Sequence, residues 1–293
     1  MSFFLQLLFA GISQGAIYAL IAYGFNVTYW TLKVVNFAHG SCLMISVMLS
    51  LAAYKLGMPV FPAMLCGIAA TGALVAVLER IAVRPVLKRT SGMGWVVSTL
   101  GAGIVLQALA TLIWGTQAMA FPPFLYESTD YLTMFGVQVS MQLVLVCVAA
   151  LAVMLVLETL VRNTIWGKVL RAAAFDPESA RLRGIPVQRV VTISFVVSGA
   201  LAGLAGVLIA PISGIDPGFG LNLMIKGFVA AVVGGLGSST GAMLGGLVVG
   251  VIELFVGGYI STAWRNGVVF LLLLLVLMVH PHGLLGRKAT VKV

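Results

Sequence analysis

The sequence predicts an all-α polytopic membrane protein of about 8–10 transmembrane or re-entrant helices. Three observations carry this. Only 9% of the 293 residues are charged while 61% are hydrophobic, against about 25% charged in a soluble domain, so the chain could not cover its surface in water. The charges also punctuate the sequence, leaving eight charge-free stretches at 1–32, 34–54, 56–78, 90–126, 131–157, 190–215, 227–252 and 266–286. Finally, Leu271–Leu275 is an unbroken leucine run, which excludes the alternating pattern of a membrane barrel. A helix satisfies its backbone internally and so suits a lone crossing.

Each stretch holds an apolar run long enough, or nearly so, to cross as a helix. The first has no basic n-region, since the first Lys or Arg is Lys33, so it is read as a retained span and not a cleaved signal. The net charge of +9 sits in a few loops, which argues for membrane orientation over nucleic acid. Loop 79–92 (Arg80, Arg84, Lys88, Arg89), loop 158–189 and the tail (Arg287, Lys288, Lys292) are expected on the cytoplasmic side. Segments 120–130, with Glu127 and Asp130, and 212–222, with Asp216, carry no Lys or Arg and fit the outer side.

Orientation then raises a parity problem. Between loop 158–189 and a cytoplasmic tail the chain must cross an even number of times, yet three charge-free stretches lie there. The stretch 227–252 contains Gly234-Gly235-Leu236-Gly237-Ser238-Ser239-Thr240-Gly241, a helix-breaking cluster. A glycine-broken helix near 223–257 is therefore expected. Such breaks are tolerated where they are buried in protein or line a cavity. Glycines four apart, at 11/15, 199/203, 237/241, 241/245 and 246/250, permit close helix approach, either within this chain or at a dimer face. Cys42, Cys66 and Cys147 lack metal-ligand spacing and read as small buried apolar residues.

The polar residues argue against several functions. There is no phosphate-binding loop, zinc-protease helix or nucleophile elbow, so no enzyme is read here and no cofactor or metal is expected on this chain. Intramembrane acids and histidines are too few for a proton relay. Asn26-Val27-Thr28 is a glycosylation sequon by pattern only, because it lies inside a span. Lys226, Glu253 and Arg265 are expected near an interface, with long side chains snorkelling. Candidate pathway residues are Gln14, Asn36 and His39, the last also readable as a structural hydrogen bonder. Gly234, Gly235 and Gly237 join them, since a backbone break there exposes N–H groups to a carboxylate. In 158–189, Asp176 as N-cap and Pro177 at N1 start a short helix near 176–184, stopped by Gly184 and Pro186. A capped cytoplasmic helix of mixed charge is either a docking element or an ordinary connector.

At these residues the chain resembles the membrane permease subunit of ABC importers for branched-chain and other hydrophobic amino acids, the LivH-type permease family. The matching stretches are Gly15–Leu20, Val35-Asn-Phe-Ala-His-Gly40, Arg171–Asp176 through Ala180 to Gly184-Ile185, Lys226–Phe228 through Gly234-Gly-Leu-Gly-Ser238 to Glu253, and Pro281–Gly286. They run nearly the whole length, so residues 1–293 are expected to form one transmembrane permease domain. The resemblance implies an inner-membrane importer subunit working by alternating access, with a second, paralogous permease and two cytoplasmic ATPases that bind ATP and Mg. It also implies a periplasmic substrate-binding protein. Residues 163–186 match the coupling region, which places Arg171, Asp176, Glu178, Ala180, Arg181 and Gly184 in ATPase docking. After Gly40, Ser41-Cys42-Leu43-Met44 departs from many relatives, which carry an acidic or aromatic residue there. The same architecture serves urea, short amides and aromatic acids, and a standalone transporter or channel is the alternative outside the family.

Overall fold

The computed structural model describes residues 2–89, 93–123, 125–126, 130–134 and 137–286. Thr90–Gly92 of the first basic loop, Glu127, and the tail cations Arg287, Lys288 and Lys292 lie outside them. The helices are α1 (Ser2–Leu32), α2 (His39–Lys55), α3 (Val60–Leu78), α4 (Arg84–Arg89), α5 (Gly94–Trp114), α6 (Met141–Asn163), α7 (Ile165–Phe175), α8 (Pro177–Leu182), α9 (Val187–Ile209), α10 (Phe219–Gly234), α11 (Ser239–Tyr259) and α12 (Trp264–Val279). A π-helical turn, Glu79–Val83, joins α3 to α4. Six helical segments are long and apolar enough to cross a bilayer: 3–32, 60–87, 94–114, 141–163, 187–209 and 239–259. The shorter α2, of 17 residues, and α10 and α12, of 16 each, bring the long helices among the described residues to nine.

The chain forms two compact units, each assembled from separated segments. One comprises 1–26, 126–154 and 226–293, and the other 27–125 and 155–225. In the first, α1 crosses α11 through small residues. A methyl added at Gly15 would lie 2.8 Å from Leu247 Cα, and one at Gly11 2.9 Å from Val251 Cα. The glycines four apart therefore pack helices within the chain, which lets backbones touch in lipid. The stretch 131–157 is not one helix. Tyr131–Met134 (β1) pairs antiparallel with Val137–Ser140 (β2), Tyr131 opposite Ser140, and α6 follows. Alternating Val137-Gln-Val-Ser140 favours a half-exposed strand.

In the second unit α2, α3 and α9 form the packed core, with α5 against α2. Ser41 Oγ donates to the Gly103 carbonyl at 2.8 Å, and Gly203 of α9 leaves room for Ser46, whose Oγ would stand 2.7 Å from an added Cβ. Met119, the residue before the segment 120–130, and Ile215, within 212–222, exchange backbone hydrogen bonds of 2.8 and 3.0 Å. At the basic loops, Arg84 donates to both oxygens of buried Glu79 at 2.9 Å and to Thr192 Oγ1 of α9 at 3.0 Å. Of the cysteines, Cys42 is buried, Cys147 half-buried and Cys66 exposed, so the burial expected of all three fails for Cys66. It lies on a face of α3 that no other helix of its unit covers.

Three charges that mark boundaries in the sequence are not boundaries in the fold. Helix continues past Glu79 because Arg84 neutralises it, past Glu158 because Arg162 pairs with it one turn on, and through Lys226, so that α10 starts at Phe219.

Candidate functional site

The segment 158–189 folds as the local sequence dictates. Thr164 caps α7 and Asp176 caps α8, its Oδ1 accepting from the N–H groups of Glu178 and Ser179 at 3.1 and 3.2 Å, its Oδ2 from Ser179 Oγ at 2.6 Å. These satisfy donors that a helix start leaves open. Gly184 closes α8 with φ +80°, donating to the Arg181 carbonyl while Ile185 donates to that of Ala180, the left-handed exit a glycine permits. Arg171 donates to the Val161 carbonyl at 2.7 Å, tying α7 to the last turn of α6. Ala180 is buried, whereas Glu178, Arg181 and Leu182 are exposed, Leu182 at 90%. Arg171, Asp176, Ala180 and Gly184 thus hold the shape, and Glu178, Arg181 and Leu182 form its outward surface.

The glycine break is real and falls at residues 235–238, between α10 and α11. It turns the chain back on itself: Cβ atoms at Gly245 and Gly241 would meet α10 at Ala230 and Gly234 respectively. Four helices, α9 to α12, therefore follow the basic loop among the described residues, where three charge-free stretches stood in the sequence. Gly235 and Gly237 have φ of +106° and +89°, and a side chain is disfavoured there. Both of these glycines have their N–H groups engaged within the protein. Gly237 N–H donates to Asn26 Oδ1 at 2.9 Å, Asn26 Nδ2 donates to the Ser238 carbonyl at 2.9 Å, and Gly235 N–H donates back to Ala231. Asn26 stands in the sequence only as the first residue of a sequon pattern, with no sign of this role at the turn beyond an amide in a stretch without charge. Gly283 and Gly286 close over the same turn, with Leu284 and Leu285 donating to the Val233 and Gly234 carbonyls at 2.8 and 3.0 Å.

Asn36 and His39 lie together at the start of α2. Asn36 Oδ1 accepts from Ala38 N–H at 3.1 Å, and His39 Nδ1 stands 3.4 Å from Ser198 Oγ of α9. His39 is 0% exposed, so it ties α2 to α9 and faces no open space. Gly40 packs on Gly220, an added Cβ lying 2.7 Å from Met224 Cβ.

A second constellation brings together four residues of the first unit with Gln14. Glu253, 1% exposed, accepts from Lys226 Nζ through Oε1 at 2.7 Å and from the Tyr18 hydroxyl through Oε2 at 2.8 Å. Arg265 Nε stands 3.5 Å from the same Oε1, and Gln14 Nε2 donates to the Tyr18 oxygen at 3.0 Å. Lys226, Glu253 and Arg265, expected near an interface, do not stand apart but pair with one another. The ions meet inside the helices, where an unpaired charge would be costly. No sequence pattern announces this, because the partners come from α1, α10, α11 and α12.

Residues 7–278 match the family described as branched-chain amino acid transport system / permease component. The chain is 35% identical, over 99% of its length and 98% of the relative's, to the high-affinity branched-chain amino acid transport system permease protein LivH of Escherichia coli K12. It is equally similar, over the same shares, to the corresponding BraD protein of Pseudomonas aeruginosa. A probable LivH of Methanocaldococcus jannaschii is 29% identical over 91% of this chain and 88% of its own. A solved chain, PsaBC from Streptococcus pneumoniae in complex with Fab, aligns over 96% of this chain and 93% of its own at 17% identity and a TM-score of 0.49, too distant to fix the helix arrangement.

Proposed function

Because this chain belongs to the family of branched-chain amino acid transport system permease components, we propose that it carries branched-chain or related hydrophobic amino acids across the inner membrane. It is a multi-pass permease subunit of an ABC importer and not an enzyme. The match across nearly the whole chain is the observation that carries the reading. ATP with Mg is hydrolysed on two partner ATPases, a paralogous permease completes the pathway, and a periplasmic binding protein delivers the cargo. The basic loops and the tail face the cytoplasm, in keeping with the meeting of Arg84 and Thr192 at one end of their unit.

Docking falls to the segment around α8. Glu178, Arg181 and Leu182 contact the ATPase, while Arg171, Asp176, Ala180 and Gly184 present them in a fixed shape. ATP-driven closure pulls α8, and α9 follows directly through Gly184 and Pro186. Gln14, hydrogen-bonded to Tyr18 at the ion cluster, keeps a pathway role. Asn36, His39, Gly234, Gly235 and Gly237 act on the pathway by fixing helix ends and the α10–α11 turn.

Reconstitution of this chain with its neighbouring permease, ATPases and binding protein tests the reading. Leucine uptake that requires both ATP and binding protein is expected. Uptake by this chain alone, driven by an ion gradient, would overturn it.

A further inference from the structure

The geometry points to the Lys226–Glu253–Arg265 cluster, with Tyr18 and Gln14, as the site that receives the carboxylate of the cargo amino acid. This rests on the transport reading above and names where the cargo's charged end is held.

Charge is the first argument. Two cations face one carboxylate, Lys226 at 2.7 Å and Arg265 at 3.5 Å from Glu253 Oε1, so the cluster carries a surplus positive charge within apolar helices. Such a surplus calls for an anion. Donor supply is the second. Glu253 has both oxygens engaged, and the Tyr18 hydroxyl both donates to Glu253 and accepts from Gln14. A lysine ammonium has three N–H donors and a guanidinium five, with no acceptor on either. The cluster is therefore rich in donors and short of acceptors, which selects a carboxylate and disfavours an ammonium.

Arg265 is the member held ready. Its Nε forms no hydrogen bond among the described residues, and its side chain is 34% exposed while that of Glu253 is 2%. The stem lies across α11 at Gly257, where an added Cβ would stand 2.8 Å from Arg265 Cδ. Glycine at 257 thus makes the room that brings the guanidinium to the cluster. Depth is the third argument. Phe3 meets Tyr259 edge-on and Phe255 stacks on Tyr259 around the end of α11, an aromatic cluster like those that gather at a bilayer interface. Glu253 lies six residues before Tyr259, about 9 Å of helix inside it. A cargo entering at that end meets the cluster within its first two turns.

The phosphate of an anionic lipid offers the same oxyanion chemistry, and the test separates the two. The assembled complex of both permeases and both ATPases, without binding protein, is placed in nanodiscs of phosphatidylcholine alone or with added phosphatidylglycerol. Binding of labelled leucine is then competed with leucinamide, which lacks the carboxylate, and with 4-methylpentanoate, which lacks the amine. We expect 4-methylpentanoate to compete and leucinamide to fail. Arg265→Gln should weaken leucine binding about tenfold or more, and Arg265→Lys should restore most of it.

Equal competition by leucinamide, wild-type binding in Arg265→Gln, or no leucine binding at all overturns the site. Displacement of leucine by phosphatidylglycerol reassigns it to lipid. If Arg265→Gln does not assemble, the competition on the wild-type complex still decides. ATP-dependent uptake without carboxylate-selective binding removes only this site, whereas absence of uptake removes the transport reading.

Discussion

At the scale of single residues, side chains that span helix ends carry the most testable weight. Asn26 supplies both the acceptor for Gly237 N–H and the donor for the Ser238 carbonyl. Asn26→Ala removes both, at about 1–3 kcal/mol for each buried group left unsatisfied. The expected result is a lower melting temperature in detergent and reduced uptake, read by fluorescence-monitored unfolding beside a transport assay. Asp176→Ala removes the cap of α8 at a cost of about 1 kcal/mol. Because that helix is the proposed contact with the ATPase, transport per ATP hydrolysed should fall more than protein yield does. An unchanged ratio would remove α8 from the coupling route. Asp176 and Gly184 were readable because their partners lie within a few residues. The ion cluster was not, since Tyr18 and Glu253 are 235 residues apart and nothing in either neighbourhood points to the other.

At the scale of elements, glycine placement decides how closely helices approach. Gly220→Ala would drive a methyl into the Gly40 carbonyl, and Gly15→Leu would force α1 from α11. Overpacking costs about 1–3 kcal/mol or more, so both variants should fail to accumulate in the membrane. Gly101→Ala, with nothing within 4 Å of its added Cβ, should accumulate normally, which immunoblotting of membranes would check. Gly184→Val sets a branched side chain at φ +80°, a strain of about 1–2 kcal/mol. It should lower coupling while leaving assembly with the second permease intact. Charge-free stretches located the spans well, because an unpaired charge is excluded from lipid. They misplaced the ends wherever two charges neutralise each other, as at Glu79 with Arg84 and Lys226 with Glu253. They also hid β1 and β2, whose residues are uncharged without being a span.

At the scale of the whole molecule, fold class and family were legible from composition and a handful of motifs along 1–293. The grouping of helices was not. Each compact unit draws on segments far apart in sequence, and only contacts reveal which segments belong together. The molecule exposes many large apolar side chains, among them Leu112, Met278 and Leu271, as lipid-facing helices do. Purification in mild detergent should retain the partner ATPases, and Leu182→Asp, which places a charge on the exposed surface of α8, should release them. Co-purification quantified by mass spectrometry checks this, and full retention would place the ATPase contact elsewhere.

The separation of Tyr18 from Glu253 also has a consequence in time. Translation at about 5–20 residues per second puts roughly 10–50 s between the two. For that interval α1 sits in the bilayer without α11, on which its glycines pack, and without the acceptor for its buried hydroxyl. A nascent chain halted before residue 253 would present an unfinished unit to membrane quality control. Early termination should therefore yield rapid degradation and not a stable fragment.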